Sequence, residues 1–162
     1  MKVISNTGPI IALAKIDRLS LIKRLFEKVF IPPMVYKELC AKTGDEWESI
    51  EEALDDFIVV KELPLVDESV RLTLADLDEG EKQAVGLASV INDEKILLMD
   101  DRAGRKAAQK LNITVTGIVG ILLAAKKRGL IHKVSEILEA VRENGYWLSN
   151  KVIEVAAKLS GE

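Results

Sequence analysis

Five short apolar runs, Lys2 to Ser5, Val29 to Ile31, Phe57 to Val60, Ile96 to Met99 and Ile113 to Val115, are separated by stretches whose apolar residues recur at helical spacing. Runs of three or four residues rich in Val and Ile are too short for helices and read as buried strands. Strands that alternate with helices are joined by crossovers, which predicts a three-layer α/β/α sandwich with a mainly parallel central sheet. The chain has 162 residues, 48% of them hydrophobic, which predicts a single domain over 1–162. A chain of that length buries roughly 70% of its unfolded surface, enough to fold without disulfides or a structural metal.

The breaks between runs place the elements. Asn6-Thr7-Gly8-Pro9 ends the first strand, with Thr7 as a helix cap and Pro9 in the first turn. Helices are expected from Leu19 to Glu27, and from Met34 to Lys42 after Pro32-Pro33. Two more follow, from Trp47 to Leu54 and from Leu65 to Leu77. Asp78 and Glu81 form a capping box ahead of Ala84, Val85 and Ala88. Helices from Arg102 to Leu111 and from Asn150 to Leu159, with two between them, complete the reading.

A net charge of -3 conceals opposed regions. Asp45 to Glu81 holds fourteen acidic and two basic residues, whereas Arg102 to Ser135 holds eight basic residues and no Asp or Glu. Such asymmetry concerns partners rather than fold. The longest uncharged stretch, Leu111 to Ala125, is fifteen residues with Asn112, Thr114 and Thr116 inside it, too short and polar to span a bilayer. Polar residues from Asn6 to Pro9 interrupt what would be a signal peptide's apolar region. The single Cys40 makes no internal disulfide, so a cytoplasmic location is expected, and Cys40 reads as a small core residue. Five Asn and two Gln against abundant Lys and Glu suggest a thermophilic source. The apolar helix from Ile118 to Ala125 suggests self-association as a homodimer.

In an open parallel sheet, functional groups collect beyond the carboxyl ends of the strands, where strand order reverses. Ser5-Asn6-Thr7 and Asp100-Asp101 occupy such positions. Glu38 lies between Val35 and Leu39 on an apolar helix face, and Glu81 shares a face with Ala84, Val85 and Ala88. Glu79 points to solvent. Half-buried carboxylates converging near strand ends call for a cation, and oxygen-only ligands suit Mg²⁺ or Mn²⁺. Each also has a plain structural use: Glu81 and Asp101 as helix caps, Glu38 as a lysine's partner.

The pieces Val3-Ile4-Ser5-Asn6-Thr7-Gly8-Pro9, Ile31-Pro32-Pro33-Met34-Val35-Tyr36-Lys37-Glu38-Leu39, Gly80-Glu81, Leu97-Leu98-Met99-Asp100-Asp101-Arg102 and Val115-Thr116-Gly117, in this order and spacing, resemble a PIN domain. The resemblance implies a PIN-like metal-dependent endoribonuclease, similar to toxins of the virulence-associated protein C type, with RNA as substrate and an antitoxin protein as a partner. It places the acidic quartet on Asn6, Glu38, Glu81 and Asp101, with Asp100 as the alternative to Asp101 and Thr7 as the adjacent hydroxyl. Glu38, Glu81, Asp100 and Asp101 become the candidate ligands of Mg²⁺ or Mn²⁺. Asn6 departs from the pattern, which has Asp there. Arg102, Arg105, Lys106 and Lys110, then Lys126, Lys127, Arg128 and Lys133, are expected to neutralise RNA phosphates around the metal. Asn6 also supports a second reading, a PIN-like module that binds nucleic acid or a protein partner without cleaving. A phospho-acceptor receiver is disfavoured, because Ser5-Asn6 stand where it needs paired acids. His132 reads as a surface residue, and Trp47, Tyr146 and Trp147 as packing or interface anchors.

Overall fold

A computed structural model describes residues 1–162. The five strands β1 (Lys2–Ser5), β2 (Val29–Ile31), β3 (Ile58–Val60), β4 (Lys95–Leu98) and β5 (Val115–Thr116) form one sheet in the order β3-β2-β1-β4-β5. Every neighbouring pair is parallel, so the sheet is entirely rather than mainly parallel. Lys2 to Ser5 of β1 pair with Lys95 to Leu98 of β4, and Leu98 pairs with Thr116 of β5. The chain walks outward from β1 through β2 to β3 and then returns to β4 on the other side of β1. Strand order therefore reverses between β1 and β4.

Ten helices cover the sheet: α1 (Thr7–Lys15), α2 (Ser20–Phe26), α3 (Pro33–Lys42), α4 (Trp47–Asp56), α5 (Glu68–Thr73), α6 (Glu79–Val90), α7 (Arg102–Lys110), α8 (Ile118–Lys127), α9 (Val134–Glu143) and α10 (Asn150–Leu159). Alternation along the strands divides the core. Val3 and Leu98 join a cluster of 29 buried residues under α1 to α4 and α8 to α10, while Ile4, Leu97 and Met99 join twelve buried under α6 and α7.

Several expectations change on contact with the structure. The helix expected from Leu65 to Leu77 is confined to α5, because Asp67 is an extended N-cap that starts the helix late and the chain turns from Leu74 onward. Asn6, not Thr7, is the N-cap of α1, and Thr7 is its first helical residue. The last strand lies at Val115–Thr116, two residues later than its apolar run begins. Cys40 is exposed, on the solvent face opposite Val35 and Leu39. The apolar face of α8 does not await a partner, because Ile118, Ile121, Leu122 and Ala125 are buried in the larger core. No helix is long and apolar enough to cross a membrane.

Candidate functional site

Four segments end at the crevice beyond the carboxyl edge of β1 and β4. Asn6 follows β1 directly and its N–H donates to Leu98 O at 2.9 Å, extending the β1 to β4 ladder by one bond. Its side chain caps nothing and is left at the mouth of the crevice. Thr7, 6% exposed, sends its hydroxyl to Glu38 rather than to its own backbone, at 2.6 Å from Oε2. Glu38 also meets Lys42 one turn on in α3 at 3.6 Å, and its Oε1 lies so close to the Cα of Gly80 that a methyl group there would overlap it. Gly80 thus leaves room for the Glu38 carboxylate, which a larger residue there would displace.

Across the crevice, α6 opens on the expected capping box. Asp78 Oδ1 accepts the Glu81 N–H at 2.9 Å, and Glu81 Oε2 accepts the Asp78 N–H at 3.2 Å. Partial burial pushes the Glu81 carboxyl up to about 7, and the nearby Asp101 charge adds to the rise. Asp101 is the N-cap of α7 and accepts the Gly104 N–H at 2.7 Å. Asp100 points the other way, as alternation requires. Its oxygens accept the Ile118 N–H at the start of α8, at 3.2 Å each, and the Tyr146 hydroxyl donates to its Oδ2. Burial and the Asp100 charge together push the Tyr146 phenol well above its ordinary range.

The structure pairs these carboxylates rather than gathering them. No group of three or more His, Cys, Asp or Glu side chains is arranged to hold a metal ion. In place of three converging half-buried acids, Glu81 neighbours Asp101, Glu38 is tied to the Thr7 hydroxyl and the Lys42 ammonium, and Asp100 to the Tyr146 hydroxyl and the Ile118 N–H. The physical reason is repulsion: bare carboxylates close together raise one another's pKa, and neutral donors draw them apart. What the donor set does fit is a hard cation that keeps several waters and takes one or two carboxylates. Glu81 and Asp101 supply that pair. Of five ion pairs in the chain, none involves Glu81, Asp100 or Asp101.

The basic residues divide by edge. Arg102 and Lys106 are exposed in the first turns of α7, beside Asp101, while Arg105 is half-buried and donates to Met99 O at 3.0 Å. Lys126, Lys127 and Arg128 lie elsewhere. The ten residues of α8 span about 15 Å away from the crevice. Arg128 there donates to Leu25 O at 3.0 Å, just ahead of the amino end of β2, and Lys126 pairs with Glu162 at 2.9 Å. These three therefore sit at the opposite edge of the sheet from the carboxylates. Lys110 ends α7, away from the crevice, and Lys133 pairs with Glu136 on α9.

The crevice opens into a cleft of about 300 Å³ whose lining includes Asn6, Thr7, Lys15, Glu38, Lys42 and Tyr146. Lys15, Lys42 and Tyr146 were not among the expected site residues. Lys42 follows Glu38 by four positions and Lys15 follows Thr7 by eight, so helical spacing alone puts each on its partner's face. Tyr146 gives no such signal, because its loop meets Asp100 only through the tertiary fold. No curated protein matches the chain. A family model described as the PIN domain matches residues 2–162. PIN domains are nuclease-type folds that generally act on RNA or DNA with divalent metals, and this chain belongs to the PIN-domain family.

Proposed function

We propose that the chain is a divalent-metal-dependent endoribonuclease that hydrolyses phosphodiester bonds of RNA, serving as the toxin of a toxin-antitoxin pair. The observation that carries this reading is that Glu81 lies near enough to the Asp101 charge, at the strand-order switch, for its ionisation to be opposed, with no lysine or arginine paired to either. Two carboxylates held together without a cationic side chain favour a bound cation. Mg²⁺ or Mn²⁺ bound there would polarise the scissile phosphate and lower the pKa of an attacking water.

The chain's own residues have distinct parts. Glu81 rises to about 7 without a cation, and a cation held by Glu81 and Asp101 would favour the ionised carboxylate and draw that titration down. Thr7 fixes the Glu38 carboxylate, and the Ile118 N–H with the Tyr146 hydroxyl fixes Asp100. Asn6 offers a neutral amide where the family pattern carries Asp. Arg102 and Lys106 are placed to meet phosphates on the α7 side, a contact independent of sequence and weakened by salt. We also propose that two copies associate through α10, whose Val152, Val155 and Leu159 are exposed beside Trp147.

The test is cleavage of a mixed single-stranded RNA in Mg²⁺ and in Mn²⁺ by the wild type, Glu81→Gln and Asn6→Asp. Metal-dependent cleavage that Glu81→Gln abolishes supports the reading. Asn6 favours a second one, a PIN-domain module that binds RNA without cutting it. Tight RNA binding with no cleavage in either metal, joined to cleavage by Asn6→Asp, would establish that module instead.

A further inference from the structure

The cleft beside Glu38 is a groove along one face of α1. Thr7, Ile11 and Lys15 stand four positions apart on that face, and eight residues at the helical rise place Lys15 about 12 Å from Thr7. One wall is the end of α3, with Glu38 and Lys42, and the other is the end of α9 and the turn after it, with Val141 and Tyr146. A volume of about 300 Å³ is enough for one small ligand.

Its chemistry changes along its length. Ile11 and the Tyr146 ring, both half-buried over the core residue Val141, give the middle an apolar lining suited to a flat aromatic group. Two ammonium groups line the same groove: Lys15 makes no ion pair, and Lys42 makes a long one, at 3.6 Å, with Glu38, whose carboxylate lines the groove together with that of Asp78, the first held by the Thr7 hydroxyl and the second by the Glu81 N–H. The next hollow shares Lys15 and Asn144 with the groove and adds Asp17, Asp45 and Glu46, whose three carboxylates outweigh the one lysine and repel an anion. A ligand that fits this sequence joins an aromatic ring to one phosphate, with no second phosphate beyond.

We infer that the groove is a nucleotide subsite, seating one nucleotide of single-stranded RNA with its base against Ile11 and Tyr146 and its phosphate between Lys15 and Lys42. The strand stops there, at the acidic hollow. That the other end of this nucleotide faces the scissile bond rests on the nuclease reading; the subsite itself does not. Lys15 and Lys42 thereby take the phosphate-binding part that the basic end of α8, on the opposite edge, is not placed to play.

The test is anisotropy of a fluorescein-labelled single-stranded RNA pentanucleotide in EDTA, titrated at several salt concentrations, so that no cleavage enters. The double variant Lys15→Ala/Lys42→Ala is expected to bind about tenfold more weakly, with the slope of log K against log salt less steep by about 0.7, the loss of one phosphate contact. Lys127→Ala, exposed at the far edge, is expected to match the wild type. Ile11→Trp, checked for folding by thermal melting, is expected to block binding by filling the groove, and adenosine 5′-monophosphate to compete better than inorganic phosphate. Unchanged affinity and slope in the double variant, competition by phosphate equal to that by the nucleotide, or no binding by the wild type overturns the inference. Binding here without cleavage in Mg²⁺ would remove the nuclease reading and keep the subsite; cleavage indifferent to both lysines would do the reverse.

Discussion

Glu81, on the opening turn of α6, lies near enough to Asp101, the N-cap of α7, that the Asp101 charge adds to the rise that partial burial gives the Glu81 carboxyl, to about 7. The unfolded chain releases that proton near 4.5, so between about 4.5 and 7 the folded state holds it more tightly. Stability from this group is complete below 4.5 and is lost as pH rises through 7. Glu81→Gln keeps the capping box and removes the repulsion. Discounted for solvent screening, it is expected to stabilise the metal-free protein by about 1 kcal/mol at pH 8 and by nothing at pH 4, measured by urea unfolding. A wild-type-like pH profile for the variant would contradict this.

Mn²⁺ at pH 8 is expected to raise the melting temperature of the wild type and to do so far less for Glu81→Gln/Asp101→Asn, because a ligand that binds only the folded state stabilises it by mass action. Equal shifts in the two proteins would place the cation elsewhere.

Thr7→Val removes the 2.6 Å hydrogen bond to Glu38 while keeping the side chain's shape. A bond to a charged, mostly covered carboxylate is worth about 1.5 to 3 kcal/mol, and the lower figure is expected here because Lys42 remains. Chemical denaturation measures it.

Gly80→Ala sets two effects against each other. Alanine favours the helix by up to about 1 kcal/mol, yet its methyl group displaces the Glu38 carboxylate. Stability is expected to change by less than about 1 kcal/mol, while the Thr7 to Glu38 bond is lost. A double-mutant cycle with Thr7→Val should therefore be strongly non-additive. Additivity would mean that Glu38 yields without releasing Thr7.

Glu162 closes the amino end of α9: its carboxylate accepts the Val134 N–H at 2.6 Å and the Ser135 N–H at 3.1 Å, and pairs with Lys126 at 2.9 Å. Partial burial opposes its ionisation, but these bonds and those from the Ser135 and Ser160 hydroxyls hold it far below the usual carboxylate range. Its contribution is present above about 4.5 and fades as pH falls below that. Glu162→Ala is expected to cost about 1 to 2 kcal/mol at pH 7, the size of a lost helix cap, and to speed hydrogen exchange in α9 and α10.

The layered fold was legible because it depends on local signals: Val and Ile runs, Pro32-Pro33, and the Asp78 to Glu81 capping box all act within a few residues. The positions of Glu38 and Glu81 could be read the same way, from the faces their neighbours share, and the Asp100-Asp101 pair from its place at the end of an apolar strand. The Tyr146 to Asp100 bond could not, since 46 residues separate its ends and nothing in Gly145-Tyr146-Trp147 points to its destination. The basic end of α8 misled for a related reason: charge counts along a sequence carry no direction, and a helix leaving the crevice takes its last turn to the other edge. Thr7 was legible as a polar helix start, but its hydroxyl found a better acceptor in Glu38 than in its own helix.

The position of β1 in the middle of the sheet bears on the order of events when the chain is made. Residues near Lys2 are made well before their partners: one edge of β1 stays open until Lys95 to Leu98 arrive, and Asp100 gains its phenolic partner only when Tyr146 emerges. Such distant pairings carry a loop-closure cost and form late. A nascent chain therefore has no assembled crevice until most of it has been synthesised, and a fragment ending before β4 is expected to have an open strand edge prone to pairing with other chains rather than a weakened form of the same site.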